Sequence, residues 1–502
     1  MADRTAGGMD RQIRRLGLAL AVCFAVLFAQ LNYLQMFGAE RLNERPDNAR
    51  PTQRLFARPR GTITTADGVL LARSVEERTD AKYRREYPEG ELFGPITGYF
   101  SRQAGTTGVE RQYGDELTGN TPDLSLGRLS DLFVDRENVG NVQLTLRADV
   151  QRIARDMLGQ RRGSVVALDP RTGAIDAMWS FPSFDPAPLS TSTARDLEVK
   201  TLLDAADGAP LRMRAYRDIF FPGSTFKVVT GSTAVERGAV TEAAPAYPVL
   251  TEFDIDFTER GLRNFGGGSC GGALFDLLRV SCNTGFAQMG ADLGGPAQAA
   301  GAEAFGFNSA PPIDLPGAEA SIFPTDFSDD EGNGPVARAA IGQGDVSATP
   351  LQMALVAAGI ANGGSVMVPH VMARVVDEEG EAVDTFEERE WRRAINPQTA
   401  DVMRRGMMEV AGPGGTATGL QIPGMDVGGK TGTAQLGTDP PRSHAWIIGF
   451  AGPPGQPATV AVAVLVEGQE GASEQTGGTV AAPIARAVME AVLASRAPGG
   501  GG

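Results

Sequence analysis

Phe221-Pro222-Gly223-Ser224-Thr225-Phe226-Lys227 is the stretch on which the fold turns. Proline followed by glycine interrupts the chain, and Thr225 to Arg237 then offers residues a helix accepts, so the sequence predicts a helix that starts at Ser224. Residues three apart share a helix face, which sets the Lys227 amine beside the Ser224 hydroxyl. Upstream, Asp149 to Leu158 reads as a helix. Ser164 to Leu168 and Ala174 to Trp179 read as strands joined by the turn Asp169-Pro170-Arg171-Thr172-Gly173. Downstream, Pro397 to Val410 after Asn396 reads as a capped helix, and Ser443 to Gly449 pairs with Thr459 to Glu467 across Pro453-Pro454-Gly455. A closing helix, about Val480 to Ser495, carries Ile484, Val488 and Val492 on one stripe. The pattern implies an α/β (α+β) domain in which helices flank an antiparallel sheet.

Toward the N-terminus the texture changes. From Gly38 to about Val142 the chain is rich in Arg, Gly and Thr, with short strand-like pieces, and reads as a small, mainly β region. Within it Gly61 to Thr64 and Val69 to Ala72 flank Asp67-Gly68, a hairpin signal. Leu16 to Phe37 is the one long apolar stretch, diluted late by Gln30, Asn32 and Gln35. At 1.5 Å per residue it spans a bilayer. Arg11, Arg14 and Arg15 precede it and favour a cytoplasmic N-terminus, a bias that Arg41 and Arg45 weaken without reversing. No small-x-small cleavage pattern follows directly, which favours an uncleaved anchor over a signal peptide. The expected divisions are a tail at 1–15, the transmembrane anchor at 16–37, the N-terminal region at 38–142, the Ser224 domain at 143–496 and a flexible end at 497–502.

Composition narrows the function. A chain of 502 residues with 42% hydrophobic residues holds two or three domains with a real core. A net charge of −15 argues against nucleic acid, whose phosphates need a basic surface. Two widely separated histidines, His370 and His444, and scattered cysteines give no metal-ligand pattern, and no cofactor is expected. His444 reads as structural or rim-lining, Cys23 as an apolar residue of the anchor, and Trp179, Trp391 and Trp446 as packing residues. The Arg-rich segment from Arg41 to Arg60 reads as a solvated juxtamembrane stretch. Of 46 basic residues only Lys82, Lys200, Lys227 and Lys430 are lysines. Lysine loses its proton on burial, whereas a guanidinium stays charged.

Two of those lysines fall in three short segments that together suit acyl transfer: Ser224-Thr225-Phe226-Lys227, Ser281-Cys282-Asn283 and Lys430-Thr431-Gly432-Thr433. Serine is a poor nucleophile until a base takes its proton. Neutral Lys227 is that base, its pKa pushed down by burial, the helix N-terminus and the Lys430 cation. Ser281 relays a proton toward the leaving amine, and Asn283 holds the substrate amide. Thr431 and Thr433, with Lys430, suit a terminal carboxylate, and Gly432 lets a substrate backbone approach closely. The backbone N–H groups of Ser224 and Thr433 are the expected oxyanion donors, worth roughly 3–4 kcal/mol each.

This ordered triple set resembles that of class B penicillin-binding proteins, peptidoglycan D,D-transpeptidases, and is most similar to their short PbpA-like members. The resemblance extends to the anchor, Arg60-Gly61-Thr62-Ile63, Asp67-Gly68, Gly108-Val109-Glu110, Val165 to Pro170 and Ile341-Gly342-Gln343-Gly344. It implies that 38–142 is a pedestal or dimerisation-type domain. It implies further that Ser224 attacks a stem peptide ending in D-Ala-D-Ala, passes the acyl group to an amine on a neighbouring strand, and is trapped by β-lactams. A membrane glycosyltransferase of the SEDS type and divisome or elongasome proteins are the implied partners. A β-lactamase-like hydrolase and a non-catalytic penicillin-binding scaffold or sensor are the alternatives. Cys270 and Cys282 lie outside the membrane on this topology, where they form either a disulfide beside the site or two free, buried thiols.

Overall fold

A computed structural model describes residues 6–33, 55–77, 82–125, 139–327, 332–439, 441–468 and 475–496. The apolar segment is helix α1 (Ala6–Tyr33), of which Ile13–Tyr33 is long and apolar enough to cross a membrane. It begins ahead of Leu16, and residues 34–37 of the expected span lie outside the described residues.

Residues 59–76 and 84–502 form a compact unit by themselves. Strand β1 (Ile63–Thr64) turns through Asp67-Gly68 into β2 (Leu70–Glu76), with Gly68 at φ 79°. Next come β3 (Asn141–Leu144), helix α2 (Ala148–Leu158), β4 (Gly163–Leu168) and β5 (Ile175–Phe181). A 3-10 turn over Gly223–Phe226 runs into α3 (Lys227–Glu236), and α4 (Asn283–Leu293) follows. Then come α5 (Pro350–Ala361), β6 (Met372–Val376), α6 (Pro397–Ala411), β7 (Asp426–Gln435), β8 (Ser443–Gly452), β9 (Val460–Val466) and α7 (Ala482–Ser495). Asn396 caps α6 as its sequence implies, its side-chain oxygen accepting from Thr399 N at 2.8 Å.

The larger sheet runs β7-β8-β9-β4-β5, antiparallel throughout, with β7 at its edge. Every residue of β8 and β9 is buried, because both faces are covered: α2 and α7 pack on each other and on the sheet, and α5 packs on β9. Helix α5 was not legible beforehand. It is buried on all sides, so no apolar stripe marks it. Two carboxylates anchor the end of α7: Arg496 bonds Asp169 at 2.5 Å and Asp176 at 2.7 Å, and burial raises Asp176 to a pKa of about 6.

The expected division at 142/143 falls inside β3, and the smaller sheet, ordered Ala382–Thr385, β6, β3, β1, β2, Tyr83–Glu86, joins strands from both sides of it. The smaller sheet is therefore discontinuous in sequence. Asp67 does more than turn a hairpin, since both its carboxylate oxygens accept from Ala148 N, at 3.0 and 3.2 Å, at the start of α2. Two of the motifs quoted above also meet here. Arg60 Nε and Arg85 Nε bond opposite oxygens of the fully buried Glu110, at 2.9 and 2.6 Å. Burial would raise the Glu110 carboxyl, but the two guanidinium groups outweigh it and hold it below the usual value.

Candidate active site

Ser224 and Lys227 are set by the 3-10 turn, not an α-helical turn. Ser224 lies within that turn, Gly223–Phe226, and Lys227 follows at its end, three positions on, so the two residues share one face of the backbone. Three contacts hold the turn. Gly223 N donates to Gly342 O at 2.9 Å, Trp446 Nε1 donates to Phe221 O at 3.0 Å, and Thr225 Oγ1 donates to Pro222 O at 2.7 Å. Gly342 has φ 70°, and a Cβ there would meet Gly223 O at 2.3 Å, which explains glycine in Ile341-Gly342-Gln343-Gly344.

Lys227 is fully buried. Its Nζ donates to Ser281 O at 2.7 Å and Asn283 Oδ1 at 2.6 Å, and lies 3.4 Å from Ser281 Oγ. Lys430, also fully buried, donates from Nζ to the same Ser281 Oγ at 2.7 Å and to Thr431 O at 2.9 Å. The Ser281 hydroxyl therefore bridges two amines whose partners are all uncharged oxygens. Ser281 reaches this place in the left-handed region, at φ 59°. Burial first, and then the Lys430 charge, drive Lys227 well below the usual lysine value. Burial alone brings Lys430 down to about 7. The three sequence segments thus meet at one hydroxyl.

Three details add to the expectation. Burial acts on Lys430 as well as on Lys227 and lowers it to about 7. Asn283 turns its Oδ1 to Lys227 and gives one N–H of Nδ2 to Arg263 O at 2.9 Å, which leaves the second N–H outside both bonds, on a residue that lines the cleft. Gly432 is glycine for an internal reason. A Cβ there would meet Pro222 O and Thr225 Cγ2, each at 2.9 Å, so the bare position seats the Ser224 turn against β7.

Ser224, Ser281, Asn283, Thr431 and Thr433 line one cleft of about 1190 Å³. Thr416, which sequence reasoning missed, shares a 2.7 Å hydrogen bond between its hydroxyl and that of Thr431. Asn264 was missed too; it lies in a glycine-rich loop with no periodic signal. Cys270 and Cys282 are joined by a disulfide (S–S 2.08 Å), so of the two states left open by the sequence the bridged one is present. His444 takes no part in the chemistry: Nδ1 accepts from Gly468 N at 3.1 Å, the ring stands edge-on to Phe220, and burial lowers it to about 4.

Comparison with known proteins bears on this geometry. The family model for the penicillin-binding protein transpeptidase domain matches residues 163–490, and that for the penicillin-binding protein A dimerisation domain matches 60–142. The chain is also 38% identical to a Mycolicibacterium smegmatis protein named peptidoglycan D,D-transpeptidase PbpA, over 97% of this chain and 99% of that one. The chain belongs to the penicillin-binding protein transpeptidase family. Among solved penicillin-binding proteins, the ceftriaxone acyl-enzyme complex of Mycobacterium tuberculosis penicillin-binding protein A superposes with a TM-score of 0.79 at 35% identity, covering 88% of this chain and all of that one. A D,D-transpeptidase domain from Eggerthella lenta gives 0.74 at 32% identity, covering 88% and 99% of the two chains. This penicillin-binding protein carries its dimerisation-type match over β1, β2 and the start of β3, and its transpeptidase match over the larger sheet and over β6 and Ala382–Thr385 of the smaller one.

Proposed function

We propose that this protein is a membrane-anchored serine D,D-transpeptidase that crosslinks peptidoglycan stem peptides through an acyl group on Ser224, and that β-lactams acylate the same hydroxyl. The observation that carries the reading is the pair of buried amines meeting at Ser281 Oγ, one of them a turn away from Ser224. The relatives named D,D-transpeptidases and the acyl-enzyme complexes of penicillin-binding protein A support it.

Neutral Lys227 takes the Ser224 proton as Oγ bonds to the carbonyl carbon between the two terminal D-Ala residues. The oxyanion is met by the N–H groups of Ser224 and Thr433. The C–N bond then breaks, and the leaving D-Ala amine receives a proton through Ser281, which Lys430 supplies. Lys227 passes its proton back to Lys430 across Ser281 Oγ, so an acceptor amine that next attacks the ester carbonyl yields its proton to Lys227, which hands it to the departing Ser224 oxygen. A new amide replaces the old. Edge strand β7 offers Thr431 and Thr433 to an extended donor peptide and its carboxylate. A β-lactam follows the first half only, because its leaving amine stays tethered in the cleft.

The arginines at 11, 14 and 15 favour a cytoplasmic N-terminus and, with it, a cleft outside the membrane. Stem peptides must arrive on polymerised strands, so a strand-forming membrane glycosyltransferase of the SEDS type, within division or elongation machinery, is the partner class. Labelling with a fluorescent β-lactam tests the reading. Stable labelling that disappears in Ser224→Ala is expected. Rapid turnover of the label would favour a hydrolase, and no labelling a scaffold. Products from a donor stem peptide with an added amine then separate crosslinking from trimming.

A further inference from the structure

Helix α4 begins at the Ser281-Cys282-Asn283 segment but supplies no cap of its own. Its N-cap residue, Cys282, makes no side-chain capping bond, and its sulfur is tied to Cys270. The cap comes from elsewhere. Asn264 Oδ1 accepts from Asn283 N and from Thr284 N, both at 3.0 Å. Its Nδ2 donates to Leu250 O at 2.9 Å and to Gly268 O at 3.0 Å. Two lone pairs and two N–H groups are all that an asparagine side chain has, and this one uses all four. The neighbouring residue acts on the same target, because Arg263 O accepts from Asn283 Nδ2 at 2.9 Å.

Two consecutive residues thus hold Asn283 by its main chain and its side chain at once. The grip fixes which end of the Asn283 amide faces Lys227. Reversed, the amide would set N–H against the Lys227 amine and oxygen against Arg263 O, losing both bonds. In the observed orientation, Asn283 Oδ1 and Ser281 O engage two N–H groups of Lys227. A neutral amine then keeps its lone pair for the Ser224 proton.

We propose that Asn264, together with the Arg263 carbonyl, is the positioning element that orients Asn283 and, through it, the base Lys227 for acylation of Ser224. This rests on the transpeptidase reading above and deepens it. Asn264 acts through Asn283 and touches no reacting atom.

The test is the second-order rate of acylation by a fluorescent β-lactam, on the full-length protein in detergent across a pH series, with thermal unfolding in parallel. Asn264→Ala is expected to slow acylation at least about tenfold while still unfolding cooperatively. Asn264→Asp keeps both acceptors for the α4 N–H groups but loses the two donors to Leu250 and Gly268. Its added charge favours protonated Lys227. It is expected to recover most of the rate once pH is above its acid limb, with that limb moved up by about one pH unit. If the alanine variant fails to fold, the aspartate variant alone decides by its limb. An alanine variant with the wild-type rate and profile overturns the proposal. So do two variants equally slow with unmoved limbs, since Asn264 would then merely tie the loop through its donors. A wild-type protein that does not label at all removes the transpeptidase reading, and the positioning role with it.

Discussion

Arg60, Arg85 and Glu110 beside the smaller sheet, and Lys227 with Lys430 behind the cleft, are both clusters of ionisable groups taken out of water. The first keeps its charges and pairs them, two guanidinium groups against one carboxylate with short bonds to both oxygens. The second has only hydroxyl, carbonyl and amide oxygens around its amines, and burial answers by removing protons. Arginine suits the first because it cannot give up its charge, and lysine the second because it can. A scaffold and a catalyst thus part company over a single side-chain property, in a chain with just four lysines.

The strongest test of that contrast is Lys227→Arg, which keeps a cation but abolishes the base. Acylation by a fluorescent β-lactam should fall by about 10²–10⁴-fold with little change in the thermal transition; an active arginine variant would break the comparison. Next is Glu110→Ala, which strands two buried guanidinium groups and should cost about 3–5 kcal/mol in denaturant unfolding, while apolar replacement of all three residues recovers much of it.

The two clusters should also titrate with opposite consequences. Glu110 lies below its unfolded value of 4.5, so its contribution is complete above that pH and is lost as pH falls through the depressed value. Lys430 lies near 7 against 10.5 unfolded, so its burial penalty is full below about pH 7 and lifts as pH rises toward 10.5. Acylation should rise as Lys227 loses its proton and fall from near pH 7 as Lys430 follows. Lys430→Arg should remove the falling limb, since its charge persists; a limb that stays put would assign it to another group. The smallest effect expected is Arg496→Ala, which frees Asp169 and Asp176 from the end of α7 and should cost about 1–3 kcal/mol, read from the unfolding midpoint.

What could be read in advance follows the range of the physics. The Pro-Gly break before Ser224, the Asn396 cap and the apolar runs of β4, β8 and β9 are local signals, and each element lies within a few residues of its expected place. The meeting of Lys227, Ser281 and Lys430 was legible through the ordered set of three segments and the family it resembles. Glu110 with Arg60 was not, since fifty positions separate them and only the fold closes the gap. Asn264 escaped for the same reason, and nothing in the neighbours of Asn283 reveals that Lys227 and Arg263 share its amide. Gly432 also has the Ser224 turn as its neighbour, a reason for glycine that its sequence context does not reveal.

Strand β3 lies between β1, whose Ile63 pairs with Val142 from seventy-nine residues earlier (142 − 63), and β6, which comes more than two hundred residues later. A ribosome must therefore deliver most of the polypeptide before the first sheet begun can be completed. Until residue 376 emerges, β3 has one bare flank, a template that any extended segment could pair with. Contacts of such long sequence separation close slowly, so the early product of synthesis is the part of this molecule most in need of a chaperone's shelter.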